Sequence, residues 1–191
     1  MKKAKKPTST IFTLISIVAV VLAMLYVYQS QRADKIKETT LEKLTEVEKM
    51  LKTDLEKDYP KTPRELAKLH GDMTRLLYSG IEDDEIKELA IIIRDLYDKE
   101  FLDNNPKEKY LKNLYSDIAL WREMKRKIEN NFVVNEQDEE LIVKDGKEYA
   151  TAYISFTITE KGKTTELRRY IMRKDEENKW KILGWEYIPD K

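Results

Sequence analysis

The first thirty residues pair a basic start with an uncharged apolar stretch. Four lysines lie within residues 2–6, and apolar residues then dominate 11–28 without a charge. At 1.5 Å of rise per residue this stretch forms a helix of about 27 Å, close to the roughly 30 Å of a bilayer core. The pattern therefore predicts three N-terminal segments: a cytoplasmic basic tail at 1–10, a transmembrane anchor at 11–30 and a juxtamembrane stalk at 31–40.

The charges on either side of this stretch predict its orientation. No acid accompanies the lysines before it, whereas Arg32, Lys35 and Lys37 after it are mixed with acids. The flank richer in lysine and arginine stays in the cytoplasm, so residues 41–191 are expected outside a cell membrane that the chain crosses once. A cleaved secretory signal is the alternative, but its apolar region has only about 7–15 residues.

Apolar residues at helical spacing predict four helices beyond the stalk. The second has the clearest start signal, because Thr62 and Glu65 form a capping box with proline at the first helical position. Gly80 ends that helix, and an asparagine-proline pair opens the last one. The four predicted helical segments are 34–58, 62–80, 83–97 and 105–128.

The period of the apolar residues changes to two from about Phe132. Asp145-Gly146 and Lys161-Gly162 are tight-turn signals between alternating stretches. Together they predict four strands, at 141–143, 150–158, 167–173 and 180–188. The expected fold class is α+β: an N-terminal transmembrane helix, then about four helices packed on a C-terminal four-stranded antiparallel meander.

Composition excludes several classes of chemistry. The chain has 191 residues, no cysteine and one histidine. Disulfides and thiolate metal sites are therefore excluded, and a multi-histidine metal site is improbable. Four of the 36 basic residues precede the span, which leaves 32 basic against 36 acidic residues after it. This acidic balance argues against a nucleic-acid partner. The acidic clusters lack the spacing of a calcium loop, so we expect no metal and no cofactor.

Two resemblances follow from these segments. Helices followed by a meander that closes on Trp180-Lys181-Ile182-Leu183-Gly184-Trp185 resemble the nuclear transport factor 2-like (cystatin-like) cone fold. The whole chain is similar to small uncharacterised single-pass membrane proteins of clostridial bacteria. The motifs behind this second resemblance are the lysine-anchored span, the segment 58–65, Asn104-Asn105-Pro106 and Arg173-Lys174-Asp175. The resemblance implies no catalytic activity.

One departure from the cone fold leaves an alternative open. The cone fold often has a short hairpin between its helices, and the sequence shows none between Gly80 and Asp83. A simpler sandwich of helices on a meander is therefore the alternative.

The candidate binding residues lie on the last two predicted strands. Alternation places Arg169 and Arg173 on one face, where they would hold an anionic ligand or pair with acids across strands. Trp185 and Tyr187 share a face opposite Trp180, and one of these two faces is expected to be open. An exposed aromatic face would be a partner surface or a pocket; helices covering it would make it core.

His70 is the one candidate for acid–base chemistry. It lies at the edge of the apolar stripe of the second predicted helix. A histidine there would act as a general base or a pH sensor, or it would be a boundary residue with an exposed nitrogen.

We expect a non-enzymatic, membrane-anchored extracytoplasmic binding or scaffolding module that holds an envelope protein partner. The alternative is an enzyme or small-ligand receptor with a pocket inside the cone. A deep cavity with an ionisable group near Arg169 would favour the alternative, and a flat aromatic face or a filled cone would favour the scaffold.

Overall fold

The computed structural model describes residues 46–134 and 141–189, together with Met24 and Tyr26. The chain divides into two units, Met1–Thr45 and Glu46–Lys191. Of the first unit only Met24 and Tyr26 are described, both in helical conformation. The sheet and the helices that pack on it belong to the second unit.

Of the helix starts predicted from caps, the one at Thr62 is confirmed, whereas the helix expected to be capped at Asn105 begins after Pro106 without a side-chain cap. Thr62 accepts a hydrogen bond from the Glu65 backbone, and the Glu65 carboxylate accepts from the Thr62 N–H, which completes the capping box. The helical residues 46–51 end in a turn in which Asp54 accepts from two following backbone N–H groups. The other described helices are α1 (Pro63–Leu77), α2 (Asp83–Arg94), α3 (Lys99–Asn104) and α4 (Lys107–Glu123).

The predicted fold class is wrong in its N-terminal transmembrane helix. No helix among the described residues is long and apolar enough to cross a membrane. The longest of α1 to α4 is α4, whose 17 residues begin with Lys107, Glu108 and Lys109, whereas a span needs about 20 mostly apolar residues. The predicted tail, anchor and stalk at 1–40 lie outside the described residues, apart from Met24 and Tyr26.

Three predicted helices end earlier than their apolar pattern, and the first, predicted over 34–58, is helical only to Leu51. The chain leaves α2 after Arg94, and Leu96 and Asp98 then exchange backbone hydrogen bonds with Ile182. Asp98 also caps the short helix α3, which the sequence pattern does not predict. α4 ends at Glu123, and Ile128, the last residue of its predicted apolar face, belongs to a strand.

The sheet has five described strands instead of the predicted four. They are β1 (Lys127–Val133), β2 (Leu141–Lys144), β3 (Lys147–Thr159), β4 (Lys163–Lys174) and β5 (Trp180–Ile188). All pair antiparallel, in the order β1-β3-β4-β5, and β2 pairs with β3 on a separate stretch. The meander from β2 to β5 is as predicted. β1 was not predicted, because Ile128 was assigned to the preceding helix.

A bulge in β5 decides which side chains face the helices. Tyr170 pairs with Trp185 and Met172 pairs with Ile182, which leaves an extra residue in β5 between the two pairs. Tyr170 and Met172 share a face because they are two residues apart on β4. Trp185 therefore lies on the same face as Ile182 and Trp180, and the expectation that the two tryptophans face opposite ways is wrong.

The core lies between this face of the sheet and the helices. Its largest fully buried side chains come from α1, α2, β3 and β4, among them Leu66, Met73, Leu89, Phe156 and Tyr170. Gly71 lets α1 approach β1 closely, since a Cβ there would lie 2.9 Å from Nδ2 of Asn131.

Candidate functional site

His70 lies at the centre of the domain rather than at the edge of its helix. Its side chain is 2% exposed. Nδ1 lies 3.0 Å from the Tyr170 hydroxyl, and Nε2 lies 3.0 Å from the Tyr97 hydroxyl. Both ring nitrogens thus have a partner, which is what allows a polar ring to be buried.

The hydrogen bonds around His70 form an oriented chain. Arg168 lies close enough to the Tyr170 hydroxyl to act on it electrostatically. Nδ1 of His70 is the one acceptor within hydrogen-bond distance of this buried hydroxyl among the described residues, so the Tyr170 O–H donates to Nδ1. A neutral imidazole then carries its proton on Nε2, which donates to Tyr97. The Tyr97 hydroxyl lies near that of Tyr110, and the two interact electrostatically. We call this sequence, Arg168 to Tyr110, the hydroxyl relay.

Burial keeps every member of the relay apart from Arg168 neutral. Burial, together with the nearby charge of Arg168, lowers the pKa of His70 to about 3. Burial likewise raises the pKa of the Tyr97, Tyr110 and Tyr170 hydroxyls. At neutral pH these four groups therefore act as hydrogen-bonding dipoles and not as ions.

A cavity of about 360 Å³ lies against this relay, between the helices and the sheet. Its apolar wall is aromatic: the Trp185 ring lies 5.1 Å from His70 and 5.6 Å from Phe101, measured between ring centroids. The Tyr97 ring lies 4.5 Å from Phe101 and 6.2 Å from Tyr110. We call this cavity the aromatic pocket.

Two charged side chains line the aromatic pocket, and each has a partner. The guanidinium of Arg168 pairs with Glu166 through Nε and lies 4.6 Å from the centroid of the Phe156 ring. Asp117 is exposed on α4 and accepts a hydrogen bond from the Tyr78 hydroxyl. That hydrogen bond and the burial of the ring raise the pKa of Tyr78.

A larger cavity, of about 640 Å³, lies beside Arg173 and the loop 175–178. Its wall consists mostly of charged side chains, and Asp98 already binds Arg173 through both carboxylate oxygens. Ligand sites are mostly apolar with a few converging polar groups, so the aromatic pocket is the better candidate. Among the described residues, no group of three or more histidine, aspartate or glutamate side chains is placed to hold a metal ion.

A family model for DUF6715, a domain of unknown function, matches residues 1–185. The chain belongs to the DUF6715 family. No curated protein matches it.

The four predicted site residues of this DUF6715 domain lie in different places. Trp185 lines the aromatic pocket. Tyr187 is 56% exposed near the end of β5. Arg169 pairs with Glu186, its neighbour across β4 and β5. Arg173 anchors Asp98 beside the larger cavity.

Sequence reasoning missed most of the residues that form the pocket of the DUF6715 domain. Tyr97 and Tyr110 occupy the apolar positions after α2 and within α4, where a tyrosine is ordinarily a packing residue. Arg168 lies on the opposite face of β4 from Arg169, as strand alternation requires. Its approach to a histidine 98 positions earlier depends on tertiary structure. The one signal in the sequence was the presence of tyrosines at core positions, because a buried hydroxyl needs a partner.

Proposed function

We propose that this DUF6715 domain is a non-enzymatic binding module whose aromatic pocket takes a ring-containing group of a ligand. The observation that carries the proposal is the pocket itself, a cavity of about 360 Å³ with an aromatic wall and a few converging polar groups. Such cavities are the usual form of small-ligand sites. A ring entering it would stack against Trp185, Phe101 and Tyr97.

The geometry supports binding more than catalysis. A general base needs a free lone pair within reach of the substrate proton and a pKa near the working pH. The Nδ1 lone pair of His70 is occupied by the Tyr170 hydroxyl, and the pKa of His70 lies near 3. Arg168 pairs with Glu166 and lies over the Phe156 ring. These groups position one another and leave none in the state that proton transfer at neutral pH requires.

The pocket also bears on the cone-fold resemblance. It lies between the helices and one face of the sheet, which is where a cone-shaped α+β domain would hold a ligand. We propose the cone fold on this ground. An envelope partner and an extracytoplasmic location stay predictions.

Filling the pocket tests the proposed function. Asn113 is exposed on α4 and lines the pocket, so Asn113→Trp should fill it without disturbing the core. With the full chain and 2-naphthamide as the probe, calorimetry should show one site in the wild type and a loss of at least about tenfold in affinity in the variant.

Lys112→Trp is the matched control, because Lys112 is the exposed neighbour of Asn113 and does not line the pocket. It should bind the probe as the wild type does. Equal binding by Asn113→Trp and the wild type would place the site elsewhere. Turnover of a ring compound that is lost in His70→Gln would favour the enzyme alternative.

A further inference from the structure

The hydrogen bonds of the hydroxyl relay run in one direction, and this direction determines whether the relay presents a donor or an acceptor to the pocket. The Tyr170 O–H donates to Nδ1 of His70, so the imidazole proton is on Nε2 and is donated to the Tyr97 oxygen. Tyr97 is 4% exposed, and the hydroxyl beside it on the pocket side is that of Tyr110. Tyr97 and Tyr110 together have one O–H more than the acceptors found for them in the described part of the chain, and Tyr110 is the more exposed of the two and lines the pocket. The relay therefore ends in a hydrogen-bond donor beside the pocket.

Each charged side chain around the pocket already has a partner or lies in solvent. Arg168 is the one ionic group inside the wall among the described residues, and Glu166 holds its Nε. Arg94 stacks on the Tyr110 ring at 5.2 Å from its centroid and donates to the Asn105 carbonyl. Asp117 is exposed to solvent at the rim, where its charge is screened.

A charged ligand would therefore lose its hydration without gaining a free counterion. Burying an ion is costly unless it is paired and hydrogen-bonded, and a new ion here would compete with the pair that Arg168 already makes. An uncharged ligand avoids this penalty, and an acceptor on it would satisfy the free proton of Tyr110.

On the basis of the proposed function, we propose that the aromatic pocket selects an uncharged, planar ring compound carrying a hydrogen-bond acceptor, which the Tyr110 hydroxyl recognises. An amide, lactam or ketone on an aromatic ring has this chemistry. A carboxylate or an ammonium on the same ring does not.

Four probes of the same ring size test the proposal with the full chain at pH 7: 2-naphthamide, 2-naphthoate, 2-naphthylmethylammonium and naphthalene. We expect the amide to bind at least about tenfold more tightly than either ion. Tighter binding of the carboxylate would show that Arg168 recruits an anion. Tighter binding of the ammonium would show that the rings and Asp117 form a cation cage. Either result overturns the inference and leaves the proposed function standing.

The Tyr110→Phe variant tests the donor itself. Removing this hydroxyl should weaken the affinity for 2-naphthamide by about three- to tenfold. The affinity for naphthalene should stay within about twofold of the wild-type value. An equal loss for both probes would indicate a general change of the pocket and would contradict a donor role. Failure of all four probes to bind the wild type would overturn the proposed function and the inference with it.

Tyr115→Phe is the matched control for that variant. Tyr115 lies on the same helix, and its hydroxyl donates to the Asp83 carbonyl away from the pocket. Its removal should leave the affinity for 2-naphthamide unchanged. A loss equal to that in Tyr110→Phe would contradict the assignment of the donor.

Discussion

Two tyrosine hydroxyls hold His70 as a buried, neutral side chain, which its position in the sequence does not indicate. On α1 it occupies the edge of the apolar stripe, where a histidine is usually half-exposed and titrates near neutrality. In the fold, Tyr97 and Tyr170 enclose it from α2's C-terminal extension and from β4. Burial makes the neutral imidazole the stable form and ties the stability of the domain to pH.

The pH dependence of unfolding should report this burial. Unfolded His70 takes up a proton below its ordinary pKa of 6.5, while folded His70 stays neutral down to about 3. Its contribution is therefore complete above pH 6.5 and is lost as the pH falls toward 3. The free energy of unfolding should be about 2 kcal/mol lower at pH 5 than at pH 7 on this account.

Urea denaturation at both pH values measures the effect. The His70→Gln variant keeps a hydrogen-bonding side chain that does not titrate, so it should lose this part of the pH dependence. The same dependence in both proteins would mean that His70 is not held neutral.

Two arginines on β4 offer a comparison between a buried ion pair and an exposed one. The side chains of Arg173 and Asp98 are 15% and 5% exposed, whereas those of Arg169 and Glu186 are 37% and 46% exposed. Removing one partner of a buried pair leaves an unpaired charge, and an exposed pair contributes little. We expect Arg173→Ala to lower the free energy of unfolding by about 2–3 kcal/mol and Arg169→Ala by less than about 1 kcal/mol. Urea denaturation distinguishes them, and equal effects would contradict this account.

At the scale of the elements, the local signals at Thr62, Gly146 and Gly162 were reliable, whereas the cap expected at Asn105 was not. The start of α1 at Thr62, the turns at Gly146 and Gly162 and the meander from β2 to β5 follow from such signals. The end of α2 does not, because Leu96 and Asp98 gain backbone partners from Ile182, far away in sequence. β1 was missed for a similar reason: its residues pair with β3, and that pairing outweighs the helical spacing of Ile128.

The N-cap of α1 provides the prediction at this scale. Thr62→Ala removes the acceptor of the Glu65 N–H, so it should lower the free energy of unfolding by about 1 kcal/mol. Thr62→Ser keeps the oxygen and should change it by less than about 0.5 kcal/mol. Thermal or urea denaturation checks both variants, and an equal loss would mean that the methyl group, not the hydrogen bond, matters.

At the scale of the whole molecule, Trp185 joins the sheet to the helices. Its ring contacts His70 of α1, Tyr97 after α2, Phe101 of α3 and Tyr170 of β4. It therefore acts as core and pocket wall at once, which the sequence left open.

Replacing Trp185 should consequently affect folding as well as binding. Trp185→Ala is expected to lower the free energy of unfolding by about 2–4 kcal/mol, since it opens a cavity among packed rings. Tyr187→Ala, on the same strand but 56% exposed, should change it by less than about 0.5 kcal/mol. Urea denaturation of the full chain measures both. A stable Trp185→Ala protein would place this ring on an open face after all.

The sequence by itself determined the α+β class, the order of helices before strands and most of the caps and turns. Each of these follows from residues close together in the chain: a capping box, a positive-φ glycine, or a period of two. Only the tertiary structure decided which face Trp185 occupies, that His70 is central, and that Arg168 and Tyr110 belong to one hydroxyl relay. A single bulge in β5 reverses which side chains beyond it face the helices. Pairing between distant segments determines which residues are buried. Neither leaves a local pattern, because both depend on how distant segments align.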